Sequence, residues 1–216
     1  MKITKHYFDT WAGHYDISPL QYLVFKVAHE KIFNEMILLP IHFAHGRILD
    51  VGCGTGKLAY KLAQCLPKTK IDGLDLSTKM LQKAIAKNPL KNLRFKEGNV
   101  EKLYMYWNDI FDVVTCCHSF HHYINKSKAL KEMRRVLKPG GIVMIVDGCK
   151  DTLLGRIIFT LVEKIEKNVY HLTAPEMKDL LLKNKFKIIC QKRFNFIPLL
   201  LTIATVNKRR VKYGKY

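Results

Sequence analysis

The sequence predicts one doubly wound α/β domain on a mostly parallel, seven-stranded sheet, and three observations carry that expectation. After residue 45, short β-branched or apolar runs alternate with longer segments of helical period, as in successive βαβ units. The first run ends in "DVGCGTG", Asp50 to Gly56, with glycines at every second position where a strand hands over to a helix. "LKPGG", Leu137 to Gly141, closes a helix with Lys near its negative pole, then turns through Pro and two Gly into another apolar run.

In chain order the strands are expected at Arg47–Val51, Lys70–Leu74, Leu93–Lys96, Phe111–Cys117, Gly141–Asp147, Phe186–Lys192 and Leu199–Val206. Helices fill the gaps at Thr55–Leu66, Ser77–Lys87, a short one near Val100–Tyr106, Ser127–Leu137 and Thr173–Lys183. Ser77 is placed to N-cap "TKMLQKAIAK", and "TAPE" at Thr173 to Glu176 is a capping box with proline in the first turn. "RFNFIP", Arg193 to Pro198, leaves no room for a helix, so the last two strands should pair antiparallel as a hairpin.

Two helical segments stand outside this alternation. Residues 19–39 carry Leu20, Leu23, Val27, Ile32, Phe33, Met36 and Ile37 on one face. Between the fifth and sixth strands, Leu154, Ile157, Ile158, Leu161, Val162, Ile165 and Val169 recur at helical spacing. Such stripes ordinarily pack on the sheet. Elements at the strands' C-terminal edge also make natural covers, because open α/β sheets bind ligands there.

Lys and Arg outnumber Asp and Glu by 37 to 18, and no acidic residue follows Asp179. A basic surface suits nucleic acid, anionic lipid or acidic small molecules. Of the basic residues 29 are Lys, whereas bidentate base and phosphate recognition favours Arg, so a solvated lysine-rich surface accounts for much of the excess. No run reaches the roughly 18 to 20 apolar residues of a membrane span, and the first residues lack a secretory signal's apolar core. The expected location is the cytoplasm. The six cysteines show neither CxxC spacing nor small-scaffold density, which argues against zinc ribbons and a disulfide framework.

The chemistry is carried by motifs in register. Gly52, Gly54 and Gly56 let the backbone turn sharply and approach a ligand, and Thr55 is placed to cap the helix that follows. Asp75 ends the second strand, where one carboxylate can accept from two ribose hydroxyls. Together "ILDVGCGTGKLA", "GLDLSTKML", "GNVEKL", "FDVVTCCHSFHHY" and "ALKEMRRVLKPGGIVMI" resemble, in order and spacing, the class I S-adenosylmethionine-dependent methyltransferases of the small-molecule type, a group that includes the ubiquinone/menaquinone methyltransferases. The resemblance covers residues 47–147 most fully. It extends to "YFDTWAGHYD" as a pre-core segment and to "TAPEMKDLLLKNKFKII" as the final helix and strand.

That resemblance implies a Rossmann-like fold in a single domain: an N-terminal helical cover at 1–45, a cofactor-binding core at 46–147, an inserted helix at 148–172, and a terminal helix and hairpin at 173–216. It implies S-adenosylmethionine as cofactor and S-adenosylhomocysteine as product. Asp50 and the loop Gly52, Cys53, Gly54 and Gly56 would hold the methionine portion, and Asp75 the ribose. Leu76 and Met80 would flank adenine, Asn99 would accept from its amino group and Val100 would offer a backbone N–H. Cys116 to Ser119 would face the sulfonium and the acceptor, and Tyr15, with His14, would close over the cofactor. Asn99 departs from the Asp common in the family, and Tyr104-Met105 replaces its usual Pro-Phe. Cys53 is expected to fill space rather than act as a nucleophile.

Methyl transfer from a sulfonium is an in-line displacement with an excellent leaving group, so positioning and electrostatics can supply much of the acceleration. A base is needed only if the acceptor carries a proton. His118, His121 and His122 are the residues expected to serve, at the active edge of the sheet. The alternative is that His121 or His122 caps or packs in the loop. The HxxHH spacing has no carboxylate or cysteine in frame and therefore gives no metal site by sequence.

The leading expectation is methyl transfer to a small-molecule acceptor. The alternatives are an RNA or protein methyltransferase using the basic C-terminal segment, including "NKRRVKY", and a catalytically idle cofactor-binding regulator. Against the nucleic-acid versions, no "NPPY" or "DPPY" follows the fourth strand and no Pro-Cys nucleophile is present.

Overall fold

The computed structural model describes residues 9–10, 24–39, 45–166 and 169–207. Tyr15, His14 and the "NKRRVKY" segment beyond Asn207 lie outside them. Helix α1 (Lys26–Ile37) precedes the alternation β1 (Arg47–Val51), α2 (Lys57–Cys65), β2 (Lys70–Asp75), α3 (Thr78–Ala86), β3 (Leu93–Glu97) and β4 (Phe111–Cys117). A single 3-10 turn (Phe120–His122) leads to α4 (Lys126–Val136) and β5 (Leu137–Gly148). Then come α5 (Leu153–Ile165), α6 (Ala174–Lys183), β6 (Phe186–Phe194) and β7 (Leu199–Val206).

The seven strands pair in the order β3-β2-β1-β4-β5-β7-β6. All neighbours are parallel except those of β7, which runs antiparallel to both β5 and β6. The expected Rossmann-like sheet with a C-terminal hairpin is therefore present. The reversed strand lies inside the sheet, inserted between β5 and β6, so the strand at that edge is β6. Order reverses between β1 and β4, and the carboxyl ends of those strands open the crevice where ligands bind in such sheets.

Strand alternation divides the core between two faces. Along β5, Val143 and Ile145 pack on one side with Ala129, Leu130 and Met133 of α4 and Met177 and Leu181 of α6. Ile142, Met144 and Val146 pack on the other with Ala28, Ile32 and Met36 of α1 and Leu58 and Leu62 of α2. Helix α1 is thus a sheet-face helix, and its buried row is Ala28, Ile32 and Met36. Val27 and Ile37, expected on the apolar face, are exposed. Four-residue spacing lets one narrow ridge enter the sheet while its flanks meet solvent.

Several boundaries moved for identifiable reasons. Helix α2 starts at Lys57, and its N-cap is Gly56 in the left-handed region (φ 78°) without a side-chain cap, so Thr55 does not cap it as expected. The segment at Val100–Tyr106 forms turns rather than a helix. Its backbone groups are taken by α4 side chains: Leu103 N donates to Glu132, and Arg135 donates to the carbonyls of Leu103 and Tyr106. β5 begins at Leu137, and between Phe111 and Val113 the pairing jumps from Leu137 to Ile142 as Gly140 turns at φ 78°. Ser77 and Thr173 cap α3 and α6 as expected, the latter with the full Thr173–Glu176 capping box. Asn125 caps α4 by accepting from Lys128 N.

Candidate active site

The glycine loop forms because β1 must turn at once into α2. Gly52 and Gly54 adopt φ 68° and 55°, a region side-chain-bearing residues avoid. A Cβ on Gly52 would lie 2.4 Å from Ser119, so the β1 and β4 ends approach as closely as they do only because that side chain is missing. Gly52 N and Cys53 N both donate to Leu74 O, tying the loop to the end of β2. There Asp75 accepts from Gly54 N and Ser77 N, both at 2.8 Å. Burial raises its pKa, against the pull of these bonds. A carboxylate has about four lone-pair sites, so with the Leu76 N–H also directed at it Asp75 keeps part of its acceptor capacity for a ligand.

Asp50, behind the loop, is buried and accepts from Thr115 Oγ1 at 2.7 Å. Desolvation pushes its carboxyl up to about 7. Ser119 Oγ donates to Val51 O and lies 2.9 Å from Tyr123 Oη, which leaves Cys116 in a buried polar knot with both. Burial holds the Cys116 thiol up at about 12, so it is a neutral packing group.

A cavity of about 260 Å³ opens beside this loop. Gly52, Gly54, Asp75, Leu76, Met80, Asn99 and Val100 line it together with His118, His121 and His122. Val24 and Phe25, just before α1, and Ile158, Phe159 and Val162 of α5 supply the apolar walls. Helix α5 buries only Gly155 and Phe159, while Leu154, Ile157, Leu161 and Ile165 of the expected apolar stripe face outward. It is a cover, attached along one edge.

The histidines differ in environment. His118 sits at φ 50° directly after β4, its ring edge-on to Phe25 (4.9 Å), with Nε2 buried and without a hydrogen-bond partner among the described residues. His121 Nδ1 lies 2.5 Å from Asp147 Oδ1, and its backbone N–H donates to Asp147 Oδ2. Its ring stacks on His171, which stacks in turn on Phe159. His122 Nε2 lies 3.8 Å from Glu166 Oε2 at the end of α5. Desolvation holds His118 and His121 down at about 3 and His122 at about 2, so all three imidazoles are neutral near pH 7.

A methyltransferase domain model matches residues 42–196. The chain belongs to that methyltransferase family. Its fold is that of the class I S-adenosylmethionine-dependent enzymes, and S-adenosylmethionine is the cofactor of the class. Among relatives, a demethylmenaquinone methyltransferase of Chlorobaculum parvum is 40% identical over 101 residues, covering 47% of this chain and 40% of the relative. An uncharacterised protein of Methanocaldococcus jannaschii is 30% identical over 210 residues, covering 94% and 84%. Among solved structures, a chain from the complex between the Haloferax volcanii Trm112 methyltransferase activator and a methyltransferase superimposes with a TM-score of 0.79 at 17% identity, covering 93% and 98%. The matched part spans 40% to 60% of the length of the curated demethylmenaquinone and ubiquinone/menaquinone methyltransferases.

Within this methyltransferase domain most of the sequence-expected cofactor residues share the cavity. Three do not. Asp50 and Cys53 line a small adjoining void with Thr55 and Lys57, and Cys116 points into the polar knot behind Ser119. Gly56 faces Phe95, where a Cβ would meet the ring at 2.5 Å, so its lack of a side chain serves helix–strand packing. Sequence reasoning missed Asp147, Glu166 and His171, which come from three separate segments and meet around His121 and His122. It also missed Asp9, which accepts from Ser77 Oγ at 2.5 Å and brings part of the pre-core segment beside Asp75.

Proposed function

We propose that the protein transfers the methyl group of S-adenosylmethionine to a compact, largely apolar small molecule carrying an ionisable oxygen, such as a hydroxylated aromatic or quinol-like ring. The observation that carries this reading is the single cavity that joins Asp75 and the glycine loop to a histidine-bearing, apolar-walled end. The named activity of the menaquinone-type relatives supports the acceptor class.

The residues present fit the cofactor. Gly52 and Gly54 make a cradle that a Cβ on Gly52 would destroy, and Asp75 keeps acceptor capacity for the ribose hydroxyls. Leu76, Met80 and Val100 offer apolar contact to adenine, and Asn99 a polar one. When bound, S-adenosylmethionine supplies an activated methyl group on a good leaving group. The protein's part is to orient and desolvate: Phe25, Ile158, Phe159 and Val162 exclude water from the acceptor end. His118 Nε2 is the polar atom offered to the acceptor's oxygen, and as a neutral imidazole whose protonated form burial disfavours it can accept a hydrogen bond from that oxygen and orient it.

The test is transfer of label from methyl-labelled S-adenosylmethionine in a cell extract, with the product identified by mass. Label in a small, extractable ring compound is expected, with Asp75→Ala weakening cofactor binding by about 10- to 100-fold, the loss of charge-assisted hydrogen bonds. Label that never leaves the cofactor, or that enters RNA or protein, overturns the reading.

A further inference from the structure

The acceptor end of the cavity holds a group of side chains that methyl transfer does not itself require. His121, His122 and Glu166 each offer a ligand atom, and these atoms all lie within 4.8 Å of one another. We propose that they form a site for a first-row divalent transition metal ion, which holds an acceptor through its oxygen; the acceptor part of this inference rests on the function proposed above.

Two imidazoles and one carboxylate are the donor set that suits Zn²⁺, Fe²⁺, Mn²⁺ or Co²⁺ with coordination positions left open. Ligand atoms at about 2.0 to 2.2 Å from such an ion sit roughly 3.0 to 3.5 Å apart. His122 Nε2 and Glu166 Oε2, 3.8 Å apart, close on an ion with a movement of a few tenths of an ångström, and the widest separation in the group, up to 4.8 Å, needs a movement of about 1 Å. Glu166 is the half-buried C-cap of α5, its backbone N–H bonded to Val162 O, so that adjustment falls on its side chain at the helix end.

The surroundings of His121 match what a metal-binding histidine needs. Such a residue almost always donates its second ring N–H to a carboxylate or carbonyl, which fixes the tautomer and aims the other nitrogen. His121 Nδ1 is 2.5 Å from Asp147 Oδ1, which leaves Nε2 for the ion. Asp147 is itself held: Oδ1 also accepts from Gly148 N and Oδ2 from His121 N. Its oxygens are committed to orienting His121. A second grouping, His121 with Asp147 and His171, is therefore the poorer site, because it would break those bonds. His171 instead backs the His121 ring by stacking, with its backbone N–H donated to Glu163 at 2.6 Å.

Two cations stand nearby, and both are engaged. Lys126 Nζ donates to the carbonyls of His121 and Tyr123, and Lys150 Nζ is paired with Glu163. His121, His122 and Glu166 all line the same cavity, so positions that three protein ligands leave open belong to the acceptor space. An oxygen ligated there is a better nucleophile because its pKa falls.

The experiment uses the untagged full chain, stripped with chelator and titrated with Co²⁺, read by visible absorption and calorimetry, with Zn²⁺ as competitor. One saturable equivalent is expected, displaced by Zn²⁺. Glu166→Gln and His122→Ala should each lower affinity at least about tenfold, and Asp147→Asn should weaken binding by about 10- to 100-fold through the ring it orients. Unfolding curves check that each variant is folded; Glu166, outside the regular helix, gives the variant least exposed to that risk. Absence of saturable uptake, or unchanged affinity in Glu166→Gln, overturns the site. S-adenosylmethionine binding, measured in the same samples, separates the two readings: cofactor binding without metal binding refutes the metal site alone, and metal binding without cofactor binding refutes the methyltransferase function alone.

Discussion

At the scale of single residues, Asp50 shows how position overrides residue type. A carboxyl with a pKa near 7 is costly to ionise, and the cause is burial beneath the glycine loop, offset in part by the Thr115 hydroxyl. The sign follows from linkage. The folded form keeps a proton that the unfolded chain releases near its ordinary value of 3.8, so this residue makes stability fall as pH rises from about 4 to 7. Asp50→Asn keeps an acceptor for Thr115 and cannot ionise. Urea midpoints at acid, intermediate and neutral pH should therefore fall less steeply in the variant across that window, and an unchanged slope would contradict the assignment. The identity of Asp50 and Asp75 as carboxylates near the loops was legible in the sequence because Asp50 is the last residue but one of its strand and Asp75 ends its own. Their separation was not: Asp75 lines the main cavity while Asp50 lies in the void beside it, because the register pairs Asp50 with Gly73 and leaves Asp75 two residues further toward the carboxyl edge of the sheet.

At the scale of elements, local chemistry decided helix starts wherever the cap was a side chain. Ser77 accepts from Met80 N, and Thr173 accepts from Glu176 N while Glu176 reaches back to Thr173 N. Thr173→Ala should cost about 1 kcal/mol, seen as a drop of a few degrees in Tm by circular dichroism, and no change would mean that tertiary packing alone holds α6. Where a tertiary partner supplied the hydrogen bonds, sequence reasoning went astray. The Val100–Tyr106 segment has helical spacing, but Glu132 and Arg135 satisfy its backbone groups in a turn conformation. The stripe on α5 was legible as amphipathic, yet the face that meets the protein is the one with Gly155 and Phe159. Gly155 is required there because a Cβ would lie 2.2 Å from Cys149 O.

At the scale of the molecule, 37 basic against 18 acidic residues give a net charge of +19. Ion pairs such as Lys138–Asp112 and Lys192–Glu35 join charges of opposite sign and leave that net excess unchanged. Self-repulsion of this size opposes the compact state, and at about 0.15 M ionic strength charges more than about 8 Å apart are largely screened. Stability should therefore rise as sodium chloride is added from low concentration to that level, read as a higher urea midpoint. A flat or falling response would show that local pairing outweighs the excess charge.

The sequence by itself determined the chain order of the strands and of most helices, the glycine turn, the carboxylate that ends β2 and the methyltransferase family, because all of these are written in contiguous motifs whose periodicity and turn chemistry act locally. Only the tertiary structure decided that β7 enters between β5 and β6, that α1 lies on a sheet face, and that Asp147, Glu166 and His171 gather around His121 and His122. Those outcomes depend on contacts between residues far apart in the chain. There the gain from burying side chains and pairing polar groups, rather than any local preference, selects one arrangement.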